Sequence, residues 1–494
     1  MILGNLISIF YTPIMLRLLG QAQYGLYNFV GSIVAYLGLL NFGLNGSYIR
    51  FYVRYHADND SESIAILNGM FLTMYLCLSL LILSVGGWFV MDSSIIFGSE
   101  LSVVDLKTAR VLLTIMVFNL AISLPISLFG AYIVAHEKFV YQKIMELIRI
   151  VVSPFMILPI LFMGYGAVGI VAVSTTIGVI MSVFNIAFCF KKLKMQLIFN
   201  RFDFALMREI SLFSSFVFLN VIIDQISWSV DKYILGRVRG TISVAVYSIA
   251  ANLNLYYVSF STAISSIFTT KINKIVADKK SDDNKLTNLF VVVGRMQFII
   301  LALICSGLII FGMPFITMWA GEGYRKAYFV LLLLILPETV PLIQNTGLAI
   351  QRAKNMHKFR SVIYFFVVLI NIGISIPLAK EYGEIGAAFG TSVSLIICPV
   401  FIMNWYYHKK IGINMFKFWK EILHFVPALV IPLLFGGVIY LYVDLYNWVL
   451  FIVSGALYTC IYCLSMWRFG MNKVEKQLFV SPVVLFFNKI RKMN

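Results

Sequence analysis

Two arginines lie inside long apolar stretches of the sequence, where a charged side chain is costly. Arg149 and Arg295 each stand a few residues into such a stretch. A charge at membrane depth faces the interior of a helix bundle or a watery cavity, and a guanidinium binds phosphate oxygens through paired hydrogen bonds. Both arginines are therefore candidate ligands for an anionic group. The alternatives are that they reach back to the membrane surface or pair with a carboxylate, such as Glu146 near Arg149.

Four more charged residues at or within apolar stretches invite the same question. Arg50 and Arg54 are four residues apart, so they share one face of a helix. Either they contact the same anion or they anchor the helix end at the membrane surface. Asp224 falls near the middle of an apolar stretch, where a carboxylate either binds a proton or cation or serves as a hydrogen-bonded structural group. We interpret Asp231, further along, as an anchor of the helix end.

Glu338 lies between Pro337 and Pro341, halfway along another apolar stretch. Each proline removes a backbone N–H donor, so the pair predicts a kinked or broken helix. Broken helices with a polar residue at mid-membrane are typical of transport sites. One hypothesis is therefore that the prolines form a gate and that Glu338 makes a polar contact in a cavity. The alternative is a purely structural kink.

The composition places these residues in a membrane protein. Hydrophobic residues make up 60% of the chain and charged residues 12%, with a mean hydropathy of +0.90. Soluble domains have about 45–50% apolar and about 25% charged residues. The net charge of +17 does not indicate nucleic-acid binding, because the Lys and Arg residues form short clusters between apolar stretches rather than one basic face.

The apolar stretches predict an all-α, polytopic protein, since a membrane span needs about 20 mostly apolar residues. We expect about fourteen transmembrane helices, at residues 1–16, 24–48, 65–90, 109–134, 144–162, 167–189, 211–235, 240–267, 287–312, 328–350, 361–379, 385–407, 423–443 and 447–467. If the N-terminus is cytoplasmic, most Lys and Arg residues fall in the inward connections. The positive-inside rule then predicts that both termini are cytoplasmic, in the cell's inner membrane.

The sequence also contains an internal repeat. The matched segments are Gly130-Ala-Tyr with Gly347-Leu-Ala, Tyr165-Gly166 with Tyr382-Gly383, Leu18-Leu19-Gly20 with Ile234-Leu235-Gly236, and Tyr27 with Tyr247. A six-helix unit has an even number of crossings, so its second copy enters in the same orientation, and the repeats are parallel. We predict an N-terminal lobe at 1–208, a C-terminal lobe at 209–412, and a region at 413–494 with two extra helices and a basic interfacial tail.

The same residues carry a family resemblance over essentially the whole chain. The segment from Leu18 to Tyr27, Asp231-Lys-Tyr-Ile-Leu-Gly236 and Trp319-Ala-Gly-Glu-Gly-Tyr324 resemble motifs of the polysaccharide transporter family. These are the oligosaccharide flippases of the multidrug/oligosaccharidyl-lipid/polysaccharide exporter superfamily. The resemblance implies a V-shaped, two-lobed transporter that flips undecaprenyl-diphosphate-linked oligosaccharides to the outer leaflet by alternating access. Such a transporter would supply the synthesis of O-antigen or exopolysaccharide, and its expected partners are a polysaccharide polymerase and glycosyltransferases.

For such a flippase, the expected roles follow. Arg149, Arg295, Arg50 and Arg54 would bind the diphosphate head group. Asp224 and Glu338 would serve coupling to a proton or sodium gradient or line the cavity, where Glu338 would make a polar contact to sugar beside the gate formed by Pro337 and Pro341. The sequence lacks a G-x-x-x-x-G-K-[ST] phosphate loop, so ATP is not expected as the energy source, and no cofactor is expected. Two alternatives stay open: a cation-coupled multidrug exporter of the same superfamily, and a membrane-embedded sugar polymerase or ligase.

Overall fold

Backbone N–H and C=O groups have no water to bind inside a bilayer, so a chain this apolar must satisfy them within helices. The computed structural model describes residues 2–98, 100–199, 201, 203–278, 283–356, 358–473 and 475–477. Over these residues the chain is mainly helical, without a β-strand, and every predicted span lies mostly in helix. The all-α prediction is therefore confirmed.

The helices follow one another with short connections. They are α1 (Ile2–Leu37), α2 (Leu44–Ala57), α3 (Ser61–Met91), α4 (Ser93–Phe97), α5 (Val103–Ala135), α6 (Phe139–Phe162), α7 (Gly166–Lys191), α8 (Phe204–Arg239), α9 (Thr241–Ala277), α10 (Asp283–Ala320), α11 (Ala327–Ile343), α12 (Thr346–Ala353), α13 (Lys358–Leu395), α14 (Asn404–Tyr406), α15 (Met415–Leu423), α16 (Val426–Tyr442) and α17 (Trp448–Ser465). Turns of π-helix flank α14 and follow α17.

Nine helices in the described part of the chain are long and apolar enough to cross a membrane, and α11 with α12 makes a tenth if the bent pair is one span. The protein is thus a multi-pass membrane protein. Two of the helices are themselves divided, because Gly20 in α1 and Gly383 in α13 have non-helical backbone angles. The count of fourteen stays a prediction.

The break in α13 is capped by a side chain from α8. A helix end leaves carbonyl groups without N–H partners, and here Arg239 donates hydrogen bonds to the carbonyls of Ala379, Lys380 and Glu381, just before Gly383. A cation at a helix C-terminus also complements the helix dipole. The basic end of α8 therefore fixes the position at which α13 is divided.

Packing divides the chain into two units. The first contains residues 1–248 and 368–387, and the second contains residues 249–367 and 388–494. The lobe boundaries predicted at residues 208 and 412 follow the sequence repeat rather than packing, and they stay a prediction. Most of the predicted interfacial tail, the last 25 residues, lies outside the described residues, at 474 and 478–494.

Within the first unit, α1 approaches both the end of α8 and the start of α9 so closely that only glycine fits. A methyl group on Gly25 of α1 would overlap the backbone carbonyl of Thr241 at the start of α9, and one on Gly236 of α8 would overlap the ring of Phe29 of α1. Small residues let helix backbones approach closely in membranes, where packing drives helix association. The two glycines thus allow these two close contacts.

Backbone angles correct one pairing in the repeat. Gly166 and Gly383, matched from the sequence, both adopt positive φ, at 55° and 61°. Gly20 (φ 72°) ends the first part of α1, but the glycine that ends α8 with the same kind of backbone is Gly240 (φ 79°), not Gly236. Only glycine adopts these angles without strain, so the backbone requirement identifies the counterpart better than letter identity does.

Helices α16 and α17 pack against α10 in the second unit. Tyr462 donates a hydrogen bond to the carbonyl of Ile299 at 2.7 Å, and Ser465 donates to that of Ala428 at 2.6 Å. Two apolar clusters fill the space between these helices: Ile299, Ala302, Phe425, Ala428, Tyr462 and Met466, and Ile310, Phe311, Ile439, Leu445 and Tyr458. The two final helices are therefore part of the packed core of this unit.

Candidate functional site

The span formed by α11 and α12 is broken next to the two prolines. Helix α11 ends at Ile343, α12 begins at Thr346, and the two are bent by 46°. Pro337 cannot donate to the carbonyl of Leu333, four residues earlier. The hydroxyl of Ser392 donates to that carbonyl instead. The carbonyl that Pro337 leaves without a backbone donor is thus satisfied by a side chain. The helix itself breaks a few residues beyond the two prolines.

A cavity of about 510 Å³ lies beside this break in the second unit. Helix α9 contributes hydroxyl and amide side chains to one wall, and the other wall comes from the break and from α12. The lining residues are Thr262, Ser265, Ser266, Thr269, Asn273, Asn345, Leu348, Ala349, Arg352 and Ala353. The polar groups therefore converge on one space within the unit, next to non-helical backbone.

The far side of the break is closed by polar contacts. Gln344 is buried and donates a hydrogen bond to Asn404 at 3.1 Å. Ser261 donates to the carbonyl of Leu342 at 2.7 Å, and Asn345 donates to Ser265 at 3.2 Å. The break is consequently buried in protein on one side and open to the cavity on the other, which is how irregular backbone is tolerated at membrane depth.

Glu338 is half-buried on α11, and it feels a charge that the sequence does not single out. The positive charge of Arg360, on the first turn of α13, acts on the Glu338 carboxylate. The Arg360 guanidinium also lies over the ring of Tyr364, 4.5 Å from its centroid. Nothing local in the sequence links Arg360 to Glu338.

Arg295 is almost fully buried, with 2% of its surface exposed, and its guanidinium is held entirely by the protein. It donates two hydrogen bonds to Glu475 (2.5 and 3.0 Å), two to Glu421 (2.8 Å to the carbonyl, 3.0 Å to the carboxylate) and one to the Gly470 carbonyl at 3.1 Å. A guanidinium has five N–H donors, so all are used. The geometry corresponds to the alternative in which Arg295 pairs with carboxylates, and a head-group role is untested.

The other predicted arginines are exposed and belong to the first unit. Arg54 forms an ion pair with Glu209 at 3.3 Å, and Arg50 lies one turn earlier on α2. Arg149 lies on α6, and its proposed partner Glu146 accepts instead from Lys143 at 2.5 Å. The carboxylate that the alternative interpretation paired with Arg149 is therefore bonded to Lys143.

The first unit has a cavity of its own, of about 490 Å³. It lies among α1, α5, α7 and α8, and most of its lining is apolar: Tyr27, Gly31, Val34, Ala35, Gly38, Leu39, Met116, Asn119, Leu120, Ser123, Val171, Ser174, Val221 and Gln225. Gln225 donates to Ser229 at 2.6 Å. The side chain of Asp224, one residue before, lies outside the described residues.

A second carboxylate on α8 is deeply placed. Asp231, which we interpreted as an anchor of the helix end, is buried, with 2% of its surface exposed, and accepts a hydrogen bond from Tyr247 at 2.5 Å. Buried carboxylates in membrane helices face the protein interior. The sequence match of Tyr27 with Tyr247 singles out Tyr247, but it does not show that Asp231 is the partner of this phenol.

The chain is similar to known transporters over most of its length. Residues 1–270 match the family described as "Polysaccharide biosynthesis protein". A relative from Shigella flexneri, described as a putative O-antigen transporter, is 22% identical over 414 residues, which are 83% of this chain and 95% of the relative. The residues that match the family make up more than half of the chain.

Two solved structures share the fold. The lipid II flippase MurJ, in an inward closed conformation, aligns with a TM-score of 0.74 and 17% identity over 98% of both chains. An inward-facing multidrug resistance MATE transporter of the MOP superfamily aligns with a TM-score of 0.62 and 14% identity, over 82% of this chain and 94% of its own. The protein has the helical transporter fold of these structures, and it belongs to the polysaccharide biosynthesis protein family.

Proposed function

We propose that this protein flips undecaprenyl-diphosphate-linked oligosaccharides from the cytoplasmic to the outer leaflet of the inner membrane by alternating access, for the synthesis of surface polysaccharides such as O-antigen. The observation that carries the proposal is the broken span of α11 and α12 beside a cavity lined with hydroxyl and amide groups. Broken helices commonly form transport sites, and a hydroxyl-rich lining suits a glycan. The family and the O-antigen transporter relative support the same cargo class.

The head group of this cargo is a diphosphate, which exposed guanidinium groups can bind bidentately. Arg149 and Arg50 are our first candidates, because both are exposed on the first unit. Arg54 is a third, since its surface ion pair with Glu209 is of a kind that contributes little and exchanges readily. Arg295 drops out of the set, because binding cargo would require its buried ion pairs to break.

Coupling to a proton or sodium gradient would need a carboxylate that changes its occupancy during transport. Glu338 lies at mid-helix beside the charge of Arg360, and Asp231 is buried on α8. Asp224, on the same helix, remains a further candidate from the sequence. Both termini would be cytoplasmic, with glycosyltransferases supplying the cargo and a polymerase using it.

A liposome assay tests the proposal directly. The purified protein is reconstituted with a fluorescent lipid-linked oligosaccharide, and transfer is followed by the loss of fluorescence to an impermeant quencher, with and without imposed proton and sodium gradients. We expect protein-dependent transfer that accelerates with one gradient. Arg149→Ala should slow it about tenfold or more, as expected for a lost charge-assisted contact of about 1.5–3 kcal/mol, and Arg149→Lys should keep part of the rate. Absence of transfer by the wild-type protein would refute the proposal.

One observation favours a second candidate, a cation-coupled multidrug exporter. The cavity of the first unit is mainly apolar, and a multidrug transporter shares the fold. The same liposomes loaded with cationic dyes separate the two functions, because an exporter moves dyes and leaves the lipid-linked glycan in place. A polymerase or ligase would instead lengthen or transfer the glycan, which mass spectrometry of the recovered lipid would reveal.

A further inference from the structure

The polar wall of the cavity in the second unit has a specific hydrogen-bonding pattern. Along α9, Thr262 donates to the carbonyl of Ser259 at 3.1 Å, Ser266 to that of Ala263 at 2.9 Å, and Thr269 to that of Ser265 at 3.5 Å. A hydroxyl has one hydrogen and two acceptor lone pairs. Because their hydrogens point back to the helix, these side chains offer acceptor oxygens to the cavity.

The opposite wall supplies donors as well as further acceptors. Asn345 uses its amide nitrogen on Ser265 and Ser261, at 3.2 and 3.4 Å. Arg352, on α12, is exposed and lines the cavity, where it supplies charged donors. Acceptor oxygens along one wall and a guanidinium on the other are the complement of a polyhydroxylated molecule that also carries a negative charge.

Structural packing does not account for this lining. Hydroxyl residues are common where two membrane helices pack closely, but Thr262, Ser266, Thr269 and Asn273 are exposed rather than enclosed between helices. The volume of the cavity, about 510 Å³, falls within the range of about 300–1,000 Å³ that is typical of small-molecule sites. The break at Gln344 and Asn345 is an independent sign, because unwound backbone at membrane depth lines ligand cavities.

We propose that this cavity is the subsite for the saccharide part of the cargo, with the hydroxyls of Thr262, Ser266 and Thr269 accepting hydrogen bonds from sugar hydroxyls. The inference rests on the proposed flippase function and assigns its glycan contact to the second unit. Arg352 pairs with an anionic group of the cargo, either a sugar carboxylate or a phosphate.

The test removes one hydroxyl without changing shape. Initial rates of transfer in the liposome assay are measured against the concentration of lipid-linked oligosaccharide for Thr269→Val and Thr269→Ser. One neutral hydrogen bond contributes about 0.5–1.5 kcal/mol, so Thr269→Val should raise KM about two- to tenfold with kcat little changed. Thr269→Ser should restore most of the affinity. Thr459→Val is the matched control, because Thr459 makes the same kind of bond to Gly455 at 2.8 Å on α17, outside the cavity.

The outcomes separate the two proposals. If the wild-type protein transfers the lipid and all three variants, Thr269→Val, Thr269→Ser and Thr459→Val, have the wild-type KM, the saccharide subsite is overturned. The flippase function would still stand. A wild-type protein that transfers no glycan lipid would overturn the function itself, and the subsite with it. A rise in KM in Thr459→Val equal to that in Thr269→Val would also overturn the subsite, because the effect would then not depend on the cavity.

A comparison of two cargo molecules shows which anionic group Arg352 binds. Arg352→Gln is compared on two lipid-diphosphate oligosaccharides, one neutral and one containing a uronic acid. A rise in KM for the acidic glycan alone assigns Arg352 to the sugar carboxylate, and an equal rise for both assigns it to phosphate. An unchanged KM for both would overturn the anion-binding role of Arg352.

Discussion

Arg295 and Glu475 lie 180 residues apart in the sequence and form an ion pair in which both side chains are buried. The pair joins α10 to the segment after α17, and Glu421 and the ring of Phe425, 4.3 Å from the guanidinium carbon, complete the surroundings of the arginine. A charge at this depth is stable only because every donor has a partner.

Removing the carboxylate should therefore be costly. We predict that Glu475→Gln destabilises the protein by up to about 3–5 kcal/mol, because it removes the buried carboxylate and leaves the buried guanidinium only the partly exposed carboxylate of Glu421. Thermal unfolding in detergent, followed by intrinsic fluorescence, measures the effect. Glu209→Gln is the control, since the exposed Glu209–Arg54 pair should contribute about 0–1 kcal/mol. Equal shifts in the two variants would contradict a structural role for the Arg295 pair.

The contact of Ser392 with Leu333 can be tested by a double-mutant cycle. Ser392→Ala should cost about 1–3 kcal/mol, because it leaves a buried carbonyl without a donor. In a Pro337→Ala background the restored N–H at position 337 can bond to Leu333, so Ser392→Ala should cost clearly less. The same cost in both backgrounds, measured by thermal unfolding, would show that the hydroxyl does not replace the missing backbone donor.

Gly25 should not tolerate a side chain. Gly25→Ala forces a methyl group against the Thr241 backbone carbonyl, and backbone cannot move aside cheaply in a packed interior. We expect a lower yield of folded protein and a large loss of thermal stability. Gly46→Ala is the control, because a methyl group there meets open space and should stabilise α2 by about 0.5–1 kcal/mol. Similar behaviour of the two variants would disprove the close crossing.

The stability of the first unit should depend on pH through His136. This residue follows α5, and its Nδ1 lies 3.0 Å from the Tyr132 carbonyl, which can only accept, so Nε2 of the neutral ring accepts from Tyr52 at 3.0 Å. Burial lowers the pKa of His136, although its hydrogen bond to Tyr132 opposes this, and the charges of His56 and Lys138 lower it further.

The sign of the effect follows from this depressed pKa. Below the ordinary histidine pKa of about 6.5, the unfolded chain binds a proton that the folded protein resists, so stability is lost as the pH falls from there through the folded pKa. Thermal unfolding between pH 7.5 and 5 should show a steeper loss in the wild type than in His136→Gln. Tyr132→Phe controls for ring packing and should keep the wild-type slope. Identical slopes in His136→Gln and wild type would contradict the prediction.

The sequence predicts much of this fold because membrane helices follow simple rules. Apolar stretches predicted a helix at every span. Pro337 and Pro341 predicted a kink or break at their own positions, whereas the helix continues through both and is interrupted at residues 344 and 345. Burial of Arg295 was also foreseeable from its depth. Its partners were not, because nothing local links it to Glu421 and Glu475, and only packing brings them together.

The candidate site was less accessible to sequence reasoning. Rare charged residues stand out in an apolar sequence, whereas the cavity wall on α9 is rich in Ser and Thr, which occur throughout membrane helices as packing residues. The charge of Arg360 acts on Glu338, and nothing local in the sequence links the two residues. The pairing of Gly20 with Gly236 failed because identity of letters cannot replace the backbone angles that identify Gly240.

The buried ion pair also has a consequence for biosynthesis. Arg295 enters the membrane with α10, well before the ribosome has made Glu421 and Glu475. A lone arginine costs up to about 2.5–3.5 kcal/mol during insertion, the value for the centre of a helix, and the ion pairs that offset this cost form only after both carboxylates are synthesised. The second unit therefore gains this stabilisation only after Glu475, 180 residues beyond Arg295, has been translated.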